Sequence, residues 1–386
     1  MKKIYLLIFL IASMLKSNFV FSDDRNLPQI RGYVKYLPSA RFSPNLDKIN
    51  FDQLLHNRIN IDWDFNSNFK FHGAVRTRVF QGYNVENIPF YEDFITIENG
   101  FINASQLIFK ENSWMMHTMS DRFFLEYSYE KWQIRLGRQR INWGVNMVSN
   151  PNDLFNTYSF FDFDYEERPG TDAIRIQHFI SPLSRFEIAY SPGMSSRESV
   201  AAAMYAFNKK NYDIQLITGY FHHRIALGGA WAGSIKNTGF KGEITFFNDL
   251  EKPNSSNAFN FTASVSADHR FQNGGFFVAE YLYSQQRFGQ NANLLLLTQP
   301  FRADKLSFTD HSVFMNYTHP VSPILSLGMA SFYYPSENGA FFSPNINYNL
   351  AQNFDLMVLS QIFVGGKNSM LSQAGYLFAS ALKWNF

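Results

Sequence analysis

Apolar and polar residues alternate along most of the chain that follows residue 22. Trp132, Ile134 and Leu136 fall on one phase of such a segment, and Gln133 and Arg135 fall on the other. Because side chains of a β-strand point alternately to its two faces, this pattern predicts strands with one apolar and one polar face. The predicted strands lie near 29–37, 52–65, 68–82, 118–129, 132–140, 171–180, 184–190, 199–208, 212–220, 224–234, 238–247, 257–268, 274–286, 306–318, 323–333, 340–350, 354–364 and 373–386.

The connections between these segments alternate in length. Short connections fall at 66–67, 130–131, 181–183, 209–210, 235–237, near 273, and at 319–320 and 351–353. Longer and polar connections are 38–51, 83–117, 141–170, 191–198, 248–256, 287–305 and 365–372. This sorting is typical of transmembrane barrels, which have tight periplasmic turns and longer outer loops. We predict an all-β fold, an antiparallel up-and-down transmembrane β-barrel of about 18 strands, or 16 if the short connection at 222–223 is misread.

The connection 141–170 is too polar for a core and too aromatic for a linker. We predict that it folds into the barrel and constricts the pore. The candidate constriction residues are Asp153, Asp162, Asp164, Glu166, Glu167 and Arg168.

A basic wall is predicted opposite this loop, because the polar phase of each barrel strand faces the lumen. Its candidate members are Arg31, Lys35, Arg58, Lys70, His72, Arg76, Arg78, Arg122, Arg135, Arg138, Arg140 and Arg175. The later strands show mostly neutral groups on this phase, such as Asn260 and Ser264. Opposed charges across a narrow gap would create a strong transverse field. The carboxylates could instead only anchor the loop to the arginines, or form a dedicated ligand site.

Arg138 and Arg140 continue the lipid-facing phase of Trp132 by simple alternation. Charged groups on that face are costly near the middle of the membrane and tolerated near its surface. They therefore mark the outer rim, or a bulge near Gly137 turns them inward towards Asp162 and Glu166; we favour the inward turn.

Residues 1–22 have the three parts of a secretory signal peptide, with Lys2 and Lys3, an apolar run over 4–14, and a cleavage site near Ser22. Residues 23–386 then form one barrel domain. Removing the three lysines of the signal from the 34 basic residues leaves 31 against 32 acidic ones, a formal charge of −1. This balance gives no reason to expect a nucleic-acid partner.

Composition narrows the chemistry further. The chain has no cysteine, which excludes disulfides, thiolate metal sites and cysteine nucleophiles. No HExxH, phosphate-binding loop or acidic calcium loop occurs, so we predict no catalytic residue, no metal and no cofactor. Aromatic residues make up 18% of the chain although its mean hydropathy is −0.22, which fits strands with one lipid-facing side.

The last segment resembles the C-terminal signal that the barrel-assembly machinery recognises. Its residues on one phase are Tyr376, Phe378, Leu382, Trp384 and Phe386. The expected partners are therefore outer-membrane lipid, this assembly machinery and small polar solutes. The sequence leaves open whether the barrel forms oligomers.

Several motifs resemble those of a family of outer-membrane β-barrels found in Bacteroidota. They read GRQRINWG, NPNDLFNT, FDFDYEERPG and DAIRIQ between 137 and 177, with GYVKYLP from 32, HNRINIDW from 56 and AWAGSIKNTGFKGE from 230. The family is described only as porin-like, and it is distantly similar to alginate-export and porin-type barrels. The resemblance implies a fold and an outer-membrane location, and hardly any activity.

The leading functional hypothesis is a passive outer-membrane channel for small hydrophilic solutes, with anionic ones favoured by the basic wall. The alternative is a non-conducting barrel that serves as a platform or partner-binding component of an envelope or export assembly. A barrel enzyme ranks third.

Overall fold

The computed structural model describes residues 27–97, 100–157, 160, 164, 167–255, 258–285, 301–366 and 369–386. The predicted signal peptide and the predicted constriction residues Asp162 and Glu166 lie outside these residues. Within them, no helix has the length and apolar character needed to cross a membrane.

The chain folds into nineteen strands with a few short helices. The strands are β1 (Gln29–Phe42), β2 (Ile49–Asp64), β3 (Phe69–Gly82), β4 (Ser105–Glu111), β5 (Trp114–Tyr129), β6 (Trp132–Gln139), β7 (Thr171–Ser181), β8 (Ser184–Ser191), β9 (Val200–Lys209), β10 (Tyr212–Phe221), β11 (Arg224–Ile235), β12 (Thr238–Asp249), β13 (Phe259–Arg270), β14 (Phe276–Ser284), β15 (His311–Ser322), β16 (Leu325–Tyr334), β17 (Gly339–Ala351), β18 (Phe354–Gly365) and β19 (Tyr376–Asn385). The helices are α1 (Tyr83–Asn87) and α2 (Tyr91–Thr96), with 3-10 turns at Pro335–Glu337 and Met370–Gln373.

Antiparallel pairing closes the strands into a barrel. Each strand of the wall pairs with its neighbours in the chain, and β1 pairs with both β2 and β19. β4 is the exception, because it pairs only with β5 while β3 pairs with β5 directly. Eighteen of the nineteen strands therefore form the wall. The predicted 18-strand barrel is confirmed, and the 16-strand alternative is wrong because 222–223 is a two-residue turn between β10 and β11.

The connections sort by barrel end as predicted. Turns at 130–131, 182–183, 210–211, 236–237, 323–324 and 352–353 define what we call the turn end. Glu130, Lys210, Asn211 and Lys236 have φ between 50° and 63°, the left-handed backbone that tight hairpins require. The opposite, loop end holds the long connections. Two predictions of extent are wrong there: the connection 38–51 shrinks to 43–48, and 83–117 contains α1, α2 and β4.

Side chains alternate between a lumen and an outer surface. On β5 and β6 the outward positions include Phe123, Leu125 and Leu136, which are exposed, whereas the inward Glu126 is buried. An outward apolar band on a closed barrel is the arrangement expected of a barrel in a lipid bilayer. The end of the chain completes the wall, because Phe386 and Gly32 exchange two backbone hydrogen bonds of 2.9 Å.

Candidate pore constriction

The connection between β6 and β7, residues 140–170, is here called the inward loop. Its described residues, 140–157, 160, 164 and 167–170, run through the barrel lumen. Trp143 is 1% exposed, and its Nε1 donates to Oε1 of Glu187 on β8 at 2.6 Å. Phe160 packs edge-on against Phe314 and Phe332 on the far side of the barrel, with centroids 5.2 Å away. The inward fold of this loop, predicted from its polarity, is what the structure shows.

Two carboxylates of the wall hold the first half of the inward loop, the proximal half, residues 141–152. Oε1 of Glu243 on β12 accepts from the backbone N–H groups of Val145 and Asn146 at 2.6 and 2.8 Å, and Oε2 accepts from that of Asn152 at 3.0 Å. Glu280 on β14 accepts from the N–H groups of Val148 and Ser149 at 3.2 and 2.6 Å. Five backbone donors, which have no strand or helix partner in this irregular segment, are thereby satisfied.

Side-chain hydrogen bonds fix the same half against β12 and β13. Asn146 donates to Ser264 Oγ at 2.5 Å and accepts from Ser266 Oγ at 2.6 Å. Thr245 Oγ1 donates to Pro151 O at 2.9 Å. The later strands were predicted to present mostly neutral groups to the lumen, and Glu187, Glu243 and Glu280 correct that prediction.

The second half, here the distal half and described at residues 160, 164 and 167–170, is held by basic side chains of the opposite wall. Lys35 Nζ lies 3.2 Å from an Asp164 carboxylate oxygen and donates to its backbone oxygen at 2.7 Å, while His56 Nδ1 lies 2.9 Å from that carboxylate. Burial alone would raise the pKa of Asp164, but the charges of His56 and Lys35 outweigh it and lower that pKa below its usual range. Arg58 lies 3.4 Å from Glu167.

Asp153 and Arg168 connect the two halves of the loop. Arg168 Nη1 lies 3.2 Å from Asp153 Oδ2, and the same guanidinium donates to Asn142 Oδ1 and Met147 O. Burial raises the pKa of Asp153 to about 7, and the charges of Arg168 and Arg140 offset only part of that rise. Asp153 therefore exchanges a proton near neutral pH.

The exposed part of the loop differs from the predicted constriction. Asp153 and Asp164 are buried and paired, so among the described acidic residues they act as anchors. The side chain of Glu167 is 32% exposed. Met147 is 46% exposed, and Asn142 is exposed as well. These three side chains border the open part of the lumen.

The structure brings most of the predicted basic wall to the lumen. Lys35, His56, Arg78 and His117 are successive cross-strand partners on β1, β2, β3 and β5. Arg122 on β5 donates to the Arg168 backbone oxygen of the inward loop. Much of the wall is neutralised locally: Arg58 pairs with Asp121 at 2.5 Å, Arg135 with Glu126 at 2.5 Å, Arg175 with Glu187 at 2.7 Å, Arg31 with Asp62 at 2.6 Å, His72 with Asp62 at 2.5 Å, and Lys70 with Asp64 at 3.5 Å.

Arg138 does not belong to that wall, and the predicted inward turn is wrong for it. Gly137 has a φ of 118°, but the ladder stays in register, with Arg138 opposite Asp172 on the outward phase of Leu136. Arg138 Nη2 lies 2.8 Å from Asp172 Oδ2, and it also donates to Ile102 O at 2.6 Å. The segment that covers Arg138 belongs to the β3–β4 connection. The alternation of residues on β6 therefore does not reveal it. Arg140 lies close enough to Asp153 to lower its pKa.

A second segment, 301–310 before β15, also enters the lumen, and the pattern of residues does not predict it. Thr262 Oγ1 donates to Ala303 O at 3.1 Å, and Arg224 lies 3.4 Å from Asp304. Ala303 and Asp304 are buried. That pattern predicts an outer loop at 287–305 and a strand at 306–318; the described residues 301–305 lie in the lumen instead, and β15 begins only at His311.

Ser105 and His117 form a pair with the composition of a catalytic dyad. Ser105 Oγ lies 2.8 Å from His117 Nε2, and Arg78 Nη2 lies 3.2 Å from His117 Nδ1. Since a guanidinium only donates, Nδ1 must accept, so Nε2 carries the proton and cannot take one from Ser105. Within the residues that the structure describes, no group of three His, Asp or Glu side chains could hold a metal ion.

No protein-family model matches the sequence, and no curated protein matches it. Solved outer-membrane protein structures do match its fold. The outer membrane protein OprD from Pseudomonas aeruginosa is 10% identical, with a TM-score of 0.55 over 93% of each chain. OccAB3 from Acinetobacter baumannii is 11% identical, with a TM-score of 0.55 over 93% of this chain and 99% of the other.

A complex of Salmonella typhi OmpF with daunomycin is 10% identical, with a TM-score of 0.50 over 95% of this chain and 99% of the other. At these identities the likeness establishes the fold alone. The predicted porin-like barrel architecture is thereby confirmed, while the resemblance to a Bacteroidota family stays a prediction.

Proposed function

We propose that this protein is an outer-membrane channel for the passive passage of small hydrophilic solutes, constricted by the inward loop. The observation that supports this proposal most is the position of that loop. It lies inside a closed barrel and is attached to both sides of the wall, to Glu243 and Glu280 on one side and to Lys35 and His56 on the other. A loop fixed in this way sets the width of a bore without moving.

The proposal includes export through the signal peptide 1–22 and recognition of the last strand by the barrel-assembly machinery. It also includes a preference for anions. Lys35, Arg58, Arg76, Arg78 and Arg122 on neighbouring strands support it, because these five cations outnumber the carboxylates of Asp121, Asp164 and Glu167 that pair with Lys35 and Arg58. Such a concentration of one sign of charge raises the local concentration of counter-ions. No step of the proposal requires catalysis.

A specific observation favours a second candidate, a closed barrel that serves as a platform for a partner. Two inward segments bury side chains in the lumen: Phe314 and Phe341, which pack around Phe160, are 2% and 0% exposed, and Asp304 of the second segment is 1% exposed. A lumen filled in this way along its whole length would pass nothing.

Single-channel recording in planar bilayers separates the two candidates. The channel proposal predicts steady, ohmic current steps for the purified full chain, and larger steps for Glu243→Ala, which releases three backbone donors of the inward loop. Glu251→Ala is the matched control, because Glu251 is a carboxylate of an outer connection that pairs with Arg197. Absence of steps, together with a stoichiometric partner that co-purifies, would support the platform and overturn the channel.

A further inference from the structure

One sector of the lumen has amides where the adjacent strands β1–β3 have charges. In the turn-end half of β15–β19, strands that the structure describes in full, the neutral polar side chains at inward positions are Asn316, Thr318, Ser326, Asn345, Asn347, Asn349 and Asn385. The apolar Met357 and Leu359 on β18 lie opposite Asn347 and Asn345. The charged inward side chains of this half are Asp355 and Lys383, which are cross-strand partners. We call this surface the amide wall.

The amides of this wall form two hydrogen-bonded groups. Asn347 Nδ2 donates to Asn345 Oδ1 at 3.1 Å, and Asn349 Nδ2 donates to Asp355 Oδ1 at 2.9 Å. Asn385 Nδ2 donates to the other oxygen of Asp355 at 2.9 Å. Asp355 is thereby held by two amides, and the carboxamides stay in fixed positions along β17.

Gly328 on the neighbouring β16 makes room for the Asn345 side chain. A Cβ at Gly328 would lie 2.5 Å from Asn345 Oδ1, so the carboxamide lies over this glycine. Any other residue at 328 would force the Asn345 carboxamide to shift. Asn347 and Asn349 are exposed, so their remaining donors and acceptors face the water of the lumen.

The chemistry of these groups favours hydroxylated solutes. A carboxamide offers two donors and an acceptor on one planar group, and a hydroxyl both donates and accepts. A row of amides can therefore exchange its hydrogen bonds to water for equivalent bonds to neighbouring hydroxyls of one solute. A simple anion cannot use the acceptors, and a simple cation cannot use the donors.

The side of the same half formed by the adjacent strands β1–β3 has another character. Asp62 pairs there with Arg31 and His72, and Asp64 pairs with Lys70. The two partners of an ion pair saturate each other's hydrogen-bonding groups and hold water tightly. A neutral solute therefore finds fewer available donors and acceptors on this side. A neutral solute that crosses this half would gain most by following the amide wall.

We propose that the amide wall is a binding track for small neutral polyols and sugars that pass through the lumen. The inference rests on the proposed channel function and adds a solute class to it. The track is centred on Asn345 and Asn347, with Gly328 providing the space for the Asn345 side chain. Anions and neutral polyols would then use different sectors of the same bore.

The test measures how glucose reduces the ion current through the full-length protein in planar bilayers. The wild type is expected to show saturable reduction of the current by glucose. Asn345→Leu with Asn347→Leu is expected to raise the half-saturating glucose concentration at least fivefold. The ion conductance without glucose should change little. Asn345→Gln with Asn347→Gln, which retains the amides, is expected to preserve saturation.

The matched control is Asn208→Leu. Asn208 is an inward amide near the turn end of β9, outside the amide wall, and its Nδ2 donates to Asp213 at 2.8 Å. Equal weakening by the control, or unchanged glucose saturation in the double leucine variant, would overturn the track. Either result leaves the ion conductance in place, whereas failure of the channel proposal itself would appear as no conductance in the wild type.

Discussion

The two halves of the inward loop are fixed to the barrel by opposite chemistry. In the proximal half the loop contributes backbone N–H donors, and the wall contributes the carboxylates Glu243 and Glu280. In the distal half the loop contributes the carboxylate of Asp164, and the wall contributes Lys35 and His56. A segment without regular structure can thus be held in a lumen through its main chain or through its charges.

The difference decides what the sequence can reveal. Acidic residues in a polar loop are visible in the sequence, so a role for Asp164 opposite basic strands was predictable. Backbone N–H donors cannot be recognised as anchors from the sequence, because every residue except proline has one. The sequence signal for the proximal half was a glutamate on the inward phase of a later strand, Glu243 on β12 and Glu280 on β14.

The largest effect is expected from removing both wall carboxylates of the proximal half. Glu243→Ala with Glu280→Ala leaves five backbone N–H groups without their acceptors. An unsatisfied buried donor costs about 1–3 kcal/mol, so amide hydrogen exchange across 145–152 should accelerate at least ~10-fold. Mass spectrometry of the exchanged peptides measures this. Unchanged exchange, with Glu251→Ala as control, would mean that other contacts hold this half.

A smaller effect is expected from the distal half. Asp164→Asn removes the negative charge between Lys35 and His56, and breaking a buried ion pair costs roughly 3 kcal/mol at the low end of the known range. Hydrogen exchange should rise near residues 164–170 and stay unchanged across 145–152. If both halves loosened together, they would be one cooperative unit and the comparison would fail.

The next largest effect is the pH dependence of stability that comes from Asp153, which connects the two halves of the loop. Because the pKa of Asp153 is raised to about 7, the folded protein binds a proton there that the unfolded chain loses near pH 4. Stability should therefore fall as pH rises from about 4 to about 7, and level off above that. Asp153→Asn should remove this part of the slope in thermal denaturation. Identical slopes in the two proteins would place the titration elsewhere.

The smallest effect is expected at Glu167, whose side chain is 32% exposed. Partly exposed pairs contribute about 0.2–1 kcal/mol, which corresponds to at most ~5-fold in a permeability ratio. Glu167→Gln should shift the reversal potential towards anion permeation and leave the single-channel conductance nearly unchanged. A shift towards cations would show that Glu167 does not face the permeation path.

The overall fold was far more predictable than the site. Strand alternation is local, and the sorting of short and long connections is visible in one sequence. The barrel fold and the number of its strands could therefore be predicted from these two patterns. The position of Arg138 could not be predicted, because the residues that cover it, near Ile102, come from a different connection. The segment 301–310 enters the lumen for a similar reason, since its partners Thr262 and Arg224 are distant in the chain.

The central claim is that the position of the inward loop sets the width of the bore, and one measurement tests it directly. The chain has no native cysteine, so Asn146→Cys and Ser264→Cys, which replace side chains in contact at 2.5 Å, can be joined by a short thiol cross-linker in a Glu243→Ala background. The account predicts enlarged current steps before cross-linking and wild-type steps after it. Steps of the same size before and after a completed cross-link would contradict it.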